Sequence, residues 1–242
     1  MIRGLLLSLA VAASLSVRGD AAPEPDSNSN TYQFTFTRIR YGAGSGFRGF
    51  GGGAWAHDYP RGDEHLSKIL DYLTLINTNL EHTKVFDFDA PDLHNFPIAY
   101  VSEPGFWTMS ATEMEGLRAY VKKGGFLIFD DFEAEQWHNF EGQMRRAFPE
   151  LRAIEIDVQH PIFHSFFELK KLEVPHPLVR VNPIYYGYFR NNDPKDRMIA
   201  IVNYNNDLAE YWEFSDTGMF AVDWTNDAYK LAVNYIVYAL TH

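Results

Sequence analysis

The spacing of apolar residues along this chain changes repeatedly, and each change marks an element. Tyr32 to Ile39 alternates (Tyr-Gln-Phe-Thr-Phe-Thr-Arg-Ile) and is rich in β-formers, which predicts a first strand. Beyond Asp63, the residues Leu66, Ile69, Leu70, Leu73 and Ile76 recur at helical spacing, with Asp63 placed to cap the helix. Val85 to Phe88 and Phe96 to Val101 read as short strands, the second ending at Ser102-Glu103. Ser110 and Glu113 have capping-box spacing, Met114, Leu117, Tyr120 and Val121 form one helical stripe, and Gly124 supplies the left-handed stop. The apolar run Phe126 to Phe129 then predicts a buried strand that delivers Asp130-Asp131 to its C-terminal end.

Glu133 to Phe148 reads as a helix that stops before Pro149. Leu151 to Pro183 is less regular. Tyr185 to Phe189 and Met198 to Asn203 read as later strands, and the second is apolar over Met198 to Val202, as a strand covered on both faces should be. A last helix runs from about Asn226 to Leu240. Strands alternating with helices predict an α/β domain with a doubly wound, mainly parallel sheet. Such sheets take ligands just outside the C-terminal strand ends, which makes Asp130-Asp131 the first place to look for a site.

The N-terminus stands outside that pattern. Arg3 precedes an apolar run from Leu5 to Leu15, too short to cross a bilayer but of signal-peptide length. Residues 1–19 are expected to be a signal peptide, 20–30 a disordered leader, and 31–242 a single domain. The protein is then exported, periplasmic or secreted, with no membrane span once the signal is removed. A formal net charge of -11 argues against nucleic acid as a partner, because that binding depends on neutralising phosphates. The chain has no cysteine, which removes disulfides, thiolate metal sites and a cysteine nucleophile together.

Polar residues gather where strands are expected to end. Adjacent strand residues face opposite ways, so Asp130 and Asp131 enter one pocket only if the chain turns between them. One carboxylate would then face the crevice while the other caps the next helix. Trp55, His57, Asp58 and Tyr59 form a second group, in which Asp58 would accept ligand hydroxyls and Trp55 would stack, or the segment is simply a packed helix entry. Asn203, Asn205, Asn206 and Asp207 either line the crevice or form an ordinary Asn/Asp turn. His160 and His164 flank Pro161 without a zinc motif, so no metal site and no cofactor is expected, and His160 is read as shaping the pocket. The Gly42 to Gly53 loop lacks the order of a phosphate cradle and reads as a solvent loop or a lid.

Several of these motifs also occur, in order, in a bacterial family known as domain of unknown function 4159. The chain resembles it through Phe36-Thr37-Arg38-Ile39-Arg40-Tyr41, Trp55-x-x-Asp58-Tyr59-Pro60-x-x-Asp63, and Leu117 to Leu127 with its Gly124-Gly125. The likeness continues through Asp130-Asp131, Phe148-Pro149, His160 to Phe163, Asn203-x-Asn205-x-Asp207-Leu208 and Asn234 to Leu240. The resemblance implies a class I glutamine amidotransferase-like, flavodoxin-like sandwich and no established activity. In amidotransferases a nucleophilic cysteine stands where this chain has Asp130-Asp131. The family's Gly-His-Gly-like turn after the second core strand is replaced here by Ser102 to Trp107. The expectation is a non-amidotransferase domain that binds a small polar or carbohydrate-like ligand, or a partner, through Trp55, Asp58, Asp130, Asp131, His160 and Asp207. A carboxylate-dependent hydrolase and an envelope interaction module with a vestigial pocket are the alternatives.

Overall fold

The computed structural model describes residues 32–43 and 53–242. The stretches expected to be a signal peptide and a leader, and most of the Gly42 to Gly53 loop, lie outside the described residues. In chain order the strands are β1 (Thr37–Ile39), β2 (Gly42–Ala43), β3 (Lys84–Phe86), β4 (Ile98–Ser102), β5 (Trp107–Thr108), β6 (Phe126–Phe132), β7 (Ile154–Glu155), β8 (Ile184–Phe189) and β9 (Met198–Tyr204). The helices are α1 (Arg61–Leu73), α2 (Ala111–Lys122), α3 (Gln136–Ala147), α4 (Leu208–Glu213) and α5 (Val222–Thr241).

The main sheet has seven strands in the order β3-β1-β4-β6-β9-β8-β7. Pairings from β3 through β9 are parallel, and β8 and β7 add to that edge in antiparallel sense. The central strands are covered on both sides because their residues alternate between two cores. Ile98, Tyr100, Phe126 and Ile128 join the core under α1, α4 and α5. Ala99, Val101, Leu127 and Phe129 join the core under α2 and α3. Trp107, fully buried in the second core, stacks near Phe140 and meets Phe129 edge-on at 5.4 Å. Aromatic pairs of this kind add about 0.5–1.5 kcal/mol beyond their burial.

Two expectations need correction here. The strand read over Tyr32 to Ile39 shrinks to Thr37–Ile39, with Phe34 only bridging Thr78. Its alternation implied one wet face, yet Phe34 to Ile39 are all buried, because Thr37 bonds the Thr35 carbonyl and Arg38 is paired internally. Asp63 is not a cap. It sits inside α1, whose N-cap position is Pro60, and both of its oxygens are taken by Arg38. The Ser110–Glu113 capping box forms as read, and α2 then packs so closely that Gly116 faces the Phe88 carbonyl.

Candidate functional site

The parallel strands deliver their C-terminal residues to one edge of the sheet. β4 ends at Ser102 and turns at Glu103, held there by the Tyr41 hydroxyl, which donates to both carbonyls at 2.7 Å. β6 ends through a bulge between Phe129 and Phe132, where Asp131 takes a left-handed φ of 66°. The bulge explains the direction of both aspartates. It lets Phe132 return to the core that holds Phe129, and it frees Asp131 to bend over the strand end.

Asp130 points under the sheet and is fully buried. Its carboxylate accepts from Tyr100 Oη at 2.8 Å, Asn203 Nδ2 at 3.0 Å, and the backbone N–H groups of Leu208 and Ala209 at 2.9 and 3.2 Å. One aspartate was expected to cap the next helix. Asp130 does supply a cap, but to α4 rather than to α3, because β9 lies beside β6 and α4 follows β9 directly. Burial, then the charge of Asp131, pushes the Asp130 carboxyl up to about 6.

Asp131 faces the crevice. Its Oδ2 accepts from Ser102 Oγ at 3.1 Å and lies 2.7 Å from His57 Nδ1. The His57 side chain is 40% exposed, whereas Asp131 is 7% exposed. Arg38 positions that histidine from below, donating to the backbone carbonyls of Trp55 and His57 at 3.0 and 2.7 Å. Asp58, with φ 60°, lies beside His57 with its side chain fully buried. His57 Nδ1 is 3.4 Å away but makes its bond to Asp131, and neither Asp58 oxygen accepts a hydrogen bond among the described residues.

Asp207 completes the edge from β9, spending one oxygen on the Glu210 N–H of α4 at 3.0 Å. Three overlapping groups arise whose ligating atoms lie within 4.8 Å of one another: Asp58–Asp131–Asp207, His57–Asp58–Glu210 and His57–Glu103–Asp131. These acids strain each other. Burial, followed by mutual repulsion, holds Asp207 well above the carboxylate range. Burial does the same to Asp58 against the lowering effect of His57, and pushes Glu103 up to about 9. The bond to Asp131, with Asp58 close by, pushes His57 up to about 12, so it stands as an imidazolium.

Of the residues expected at the site, Asp58, Asp131 and Asp207 meet, Asp130 lies directly beneath them, and half-buried Trp55 stands two residues before His57 with its ring 5.8 Å from that of Tyr59. His160 does not join them. Its ring packs against Phe189 and Tyr238, and Phe189 pairs with Met198, the first residue of β9, so His160 belongs to the opposite end of the sheet. There its Nδ1 accepts the Ile162 N–H at 3.2 Å. The correction follows from β8 running antiparallel. Glu103 and Glu210 were missed. Asp207-x-x-Glu210 has capping-box spacing, yet Asn206 Oδ1 takes the Asp207 N–H and the Glu210 carboxyl lies beside His57 and Asp58 instead.

A cavity of about 860 Å³ lies away from this cluster, beside Arg118, Arg190 and Arg197 near the start of β9. Those guanidiniums are already bonded to Ala147 O, Asp196 and Gly124 O. No helix among the described residues is long and apolar enough to cross a membrane. Residues 35–240 match the family described as Domain of unknown function (DUF4159). No curated protein matches the chain.

Proposed function

The chain belongs to the DUF4159 family, and from that premise we propose that it is an exported domain binding a small polar, carbohydrate-like ligand at the C-terminal ends of its parallel strands. The observation that carries this reading is His57. It is the exposed member of a buried acid cluster, with the Trp55–Tyr59 aromatic pair beside it. A sugar ring offers an apolar face for stacking and hydroxyls that donate to carboxylates. The surplus of negative charge disfavours phosphates and other anions.

Backbone strain supports the same place. Asp58, Glu103, Asp131 and Asn205 all carry left-handed φ values, and all lie at this edge. The reading extends to the fold. Numbered along the chain, the five parallel strands run 2-1-3-4-5, the order of flavodoxin-like sheets, which supports a class I glutamine amidotransferase-like arrangement. The proposed crevice then falls beside the reversal of order between β1 and β4. Cysteine-dependent amidotransfer is excluded by composition. A carboxylate-dependent hydrolase is the weaker reading, because an imidazolium bonded to Asp131 donates hydrogen bonds and does not accept protons at neutral pH.

A thermal-shift screen of sugars, amino sugars, amino acids and nucleotides tests the proposal, with Trp55→Ala as the matched variant. A sugar or amino sugar should raise the midpoint of the parent protein and not of Trp55→Ala. Silence across the panel, or an equal response from the variant, would end the carbohydrate reading.

A further inference from the structure

The ligating atoms of Asp58, Asp131 and Asp207 are drawn from three separate segments and all lie within 4.8 Å of one another. Oxygen ligands surround Mg²⁺, Mn²⁺ or Ca²⁺ at about 2.0–2.6 Å, so opposite ligands of one ion stand roughly twice that far apart. The observation that points to a ligand is Asp58. Both its oxygens are buried, its side chain is 0% exposed, and neither accepts a hydrogen bond among the described residues, the adjacent His57 Nδ1 standing 3.4 Å off and bonded to Asp131. A buried carboxylate ordinarily accepts hydrogen bonds or meets a cation. The nearest full positive charge other than His57 is Arg38, and its guanidinium is committed to Asp63 and to two backbone carbonyls.

We propose that Asp58, Asp131 and Asp207 hold one divalent cation of the oxygen-preferring class, with the Glu103 and Glu210 carboxyls placed to complete or adjust its coordination. The donor chemistry is carboxylate, which suits Mn²⁺ and Mg²⁺ better than thiophilic metals. The expectation of no metal site came from searching for histidine spacing, whereas this set is carboxylate-built and dispersed in sequence. An organic ammonium is the competing cation. Asp58 and Asp131 side chains are 0% and 7% exposed, which admits a bare ion more readily than the carbon stem of an amine. The inference deepens the ligand reading, since a cation at this depth would present its outward face beside His57 to ligand hydroxyls, but metal binding itself requires no ligand.

The test is titration of the chelator-treated full-length protein with Mn²⁺ alone, followed by electron paramagnetic resonance of free Mn²⁺ and by calorimetry. One ion per chain is expected. Asp58→Asn and Asp131→Asn should each weaken it at least tenfold, while Asp196→Asn, on an exposed loop ion pair, should not. Asp58→Asn replaces a buried carboxyl, which accepts no hydrogen bond among the described residues, with an amide of the same shape, so its metal-free melting midpoint should hold or rise, which separates lost binding from lost folding. Absence of saturable binding at millimolar Mn²⁺ and Mg²⁺, or unchanged affinity in both variants, would overturn the proposal. Repeating the sugar screen with Mn²⁺ and with chelator separates the two readings. Metal binding with no sugar response sinks the carbohydrate proposal alone, and sugar binding indifferent to chelator, with no metal uptake, sinks the cation alone.

Discussion

Arg38 and Asp63 form a two-point ion pair, at 3.1 and 2.5 Å, with neither side chain exposed to solvent. The pair joins β1 to α1, and the remaining guanidinium nitrogen carries the backbone on which His57 is mounted. Asp63 is therefore committed to the scaffold, and Arg38 acts on the site only by placing it.

Breaking that pair from one side should be expensive. Arg38→Met strands the Asp63 carboxylate in the core, and one-sided removal of a buried partner costs about 3–5 kcal/mol. Pairing Arg38→Met with Asp63→Leu should recover a large part of the loss. Urea unfolding of the three variants measures both numbers. Equal losses for single and double variants would mean that the fold depends on the charge pair itself.

Asn234 in α5 makes a comparable commitment without charge. Fully buried, it accepts the N–H groups of Phe166 and Phe167 at 3.0 and 2.7 Å and donates to the Phe167 carbonyl at 2.9 Å. Asn234→Ala leaves buried backbone groups unpaired, each worth about 1–3 kcal/mol. A loss of about 3 kcal/mol in chemical unfolding is expected, together with faster proteolysis near Phe166.

Gly116→Ala sets two effects against each other. Alanine favours the interior of α2 by about 1 kcal/mol. Its Cβ, however, would stand 2.2 Å from the Phe88 carbonyl oxygen, a contact no rotamer change relieves. Overpacking of this kind costs about 1–3 kcal/mol, and a clash with backbone belongs at the upper end. The variant should melt lower than the parent, and an unchanged or higher midpoint would show that α2 slides freely over Phe88.

His160 predicts a pH dependence independent of the acid cluster. Burial, opposed by a weaker backbone hydrogen bond and Asp157, depresses its folded pKa below 6.5. A depressed histidine favours the neutral form in the fold, so the stability it protects is complete above about pH 6.5 and falls as pH drops through the folded value. His160→Gln removes that titration. Its difference from the parent in unfolding free energy should become more favourable to the variant between pH 7 and 5, and a pH-independent difference would remove the effect.

Where the sequence carried period, the fold was readable. Phe126 to Phe129 and Met198 to Val202 are apolar without interruption and stand at the sheet's centre, and the α2 capping box forms as spaced. Elements that owe their existence to partners were not readable. β2 and β5 are two residues each and exist by pairing with one another, and α4 is six residues whose N–H groups are met by Asp130 and Asp207. The same division runs through the site. Asp58, Asp131 and Asp207 were legible because each adjoins an element boundary. Glu103 and Glu210 were not, since their place depends on how turns after β4 and β9 lean together. His160 failed for want of strand direction, which no local pattern in Tyr185 to Phe189 discloses.

The bulge at Asp131 ties the crevice to the order in which the molecule can be completed. Its N–H bonds the Asn206 carbonyl, and Asn205 returns a bond to Phe132, so the bend in β6 is latched by residues arriving some seventy positions later. No hairpin or single βαβ unit contains the whole acid cluster, and closing such distant segments is slow relative to local structure. The competence to bind should therefore be the last property the chain acquires during refolding and the first it loses under denaturant, ahead of bulk helical signal. A probe of site occupancy is therefore a sharper gauge of completed folding than circular dichroism.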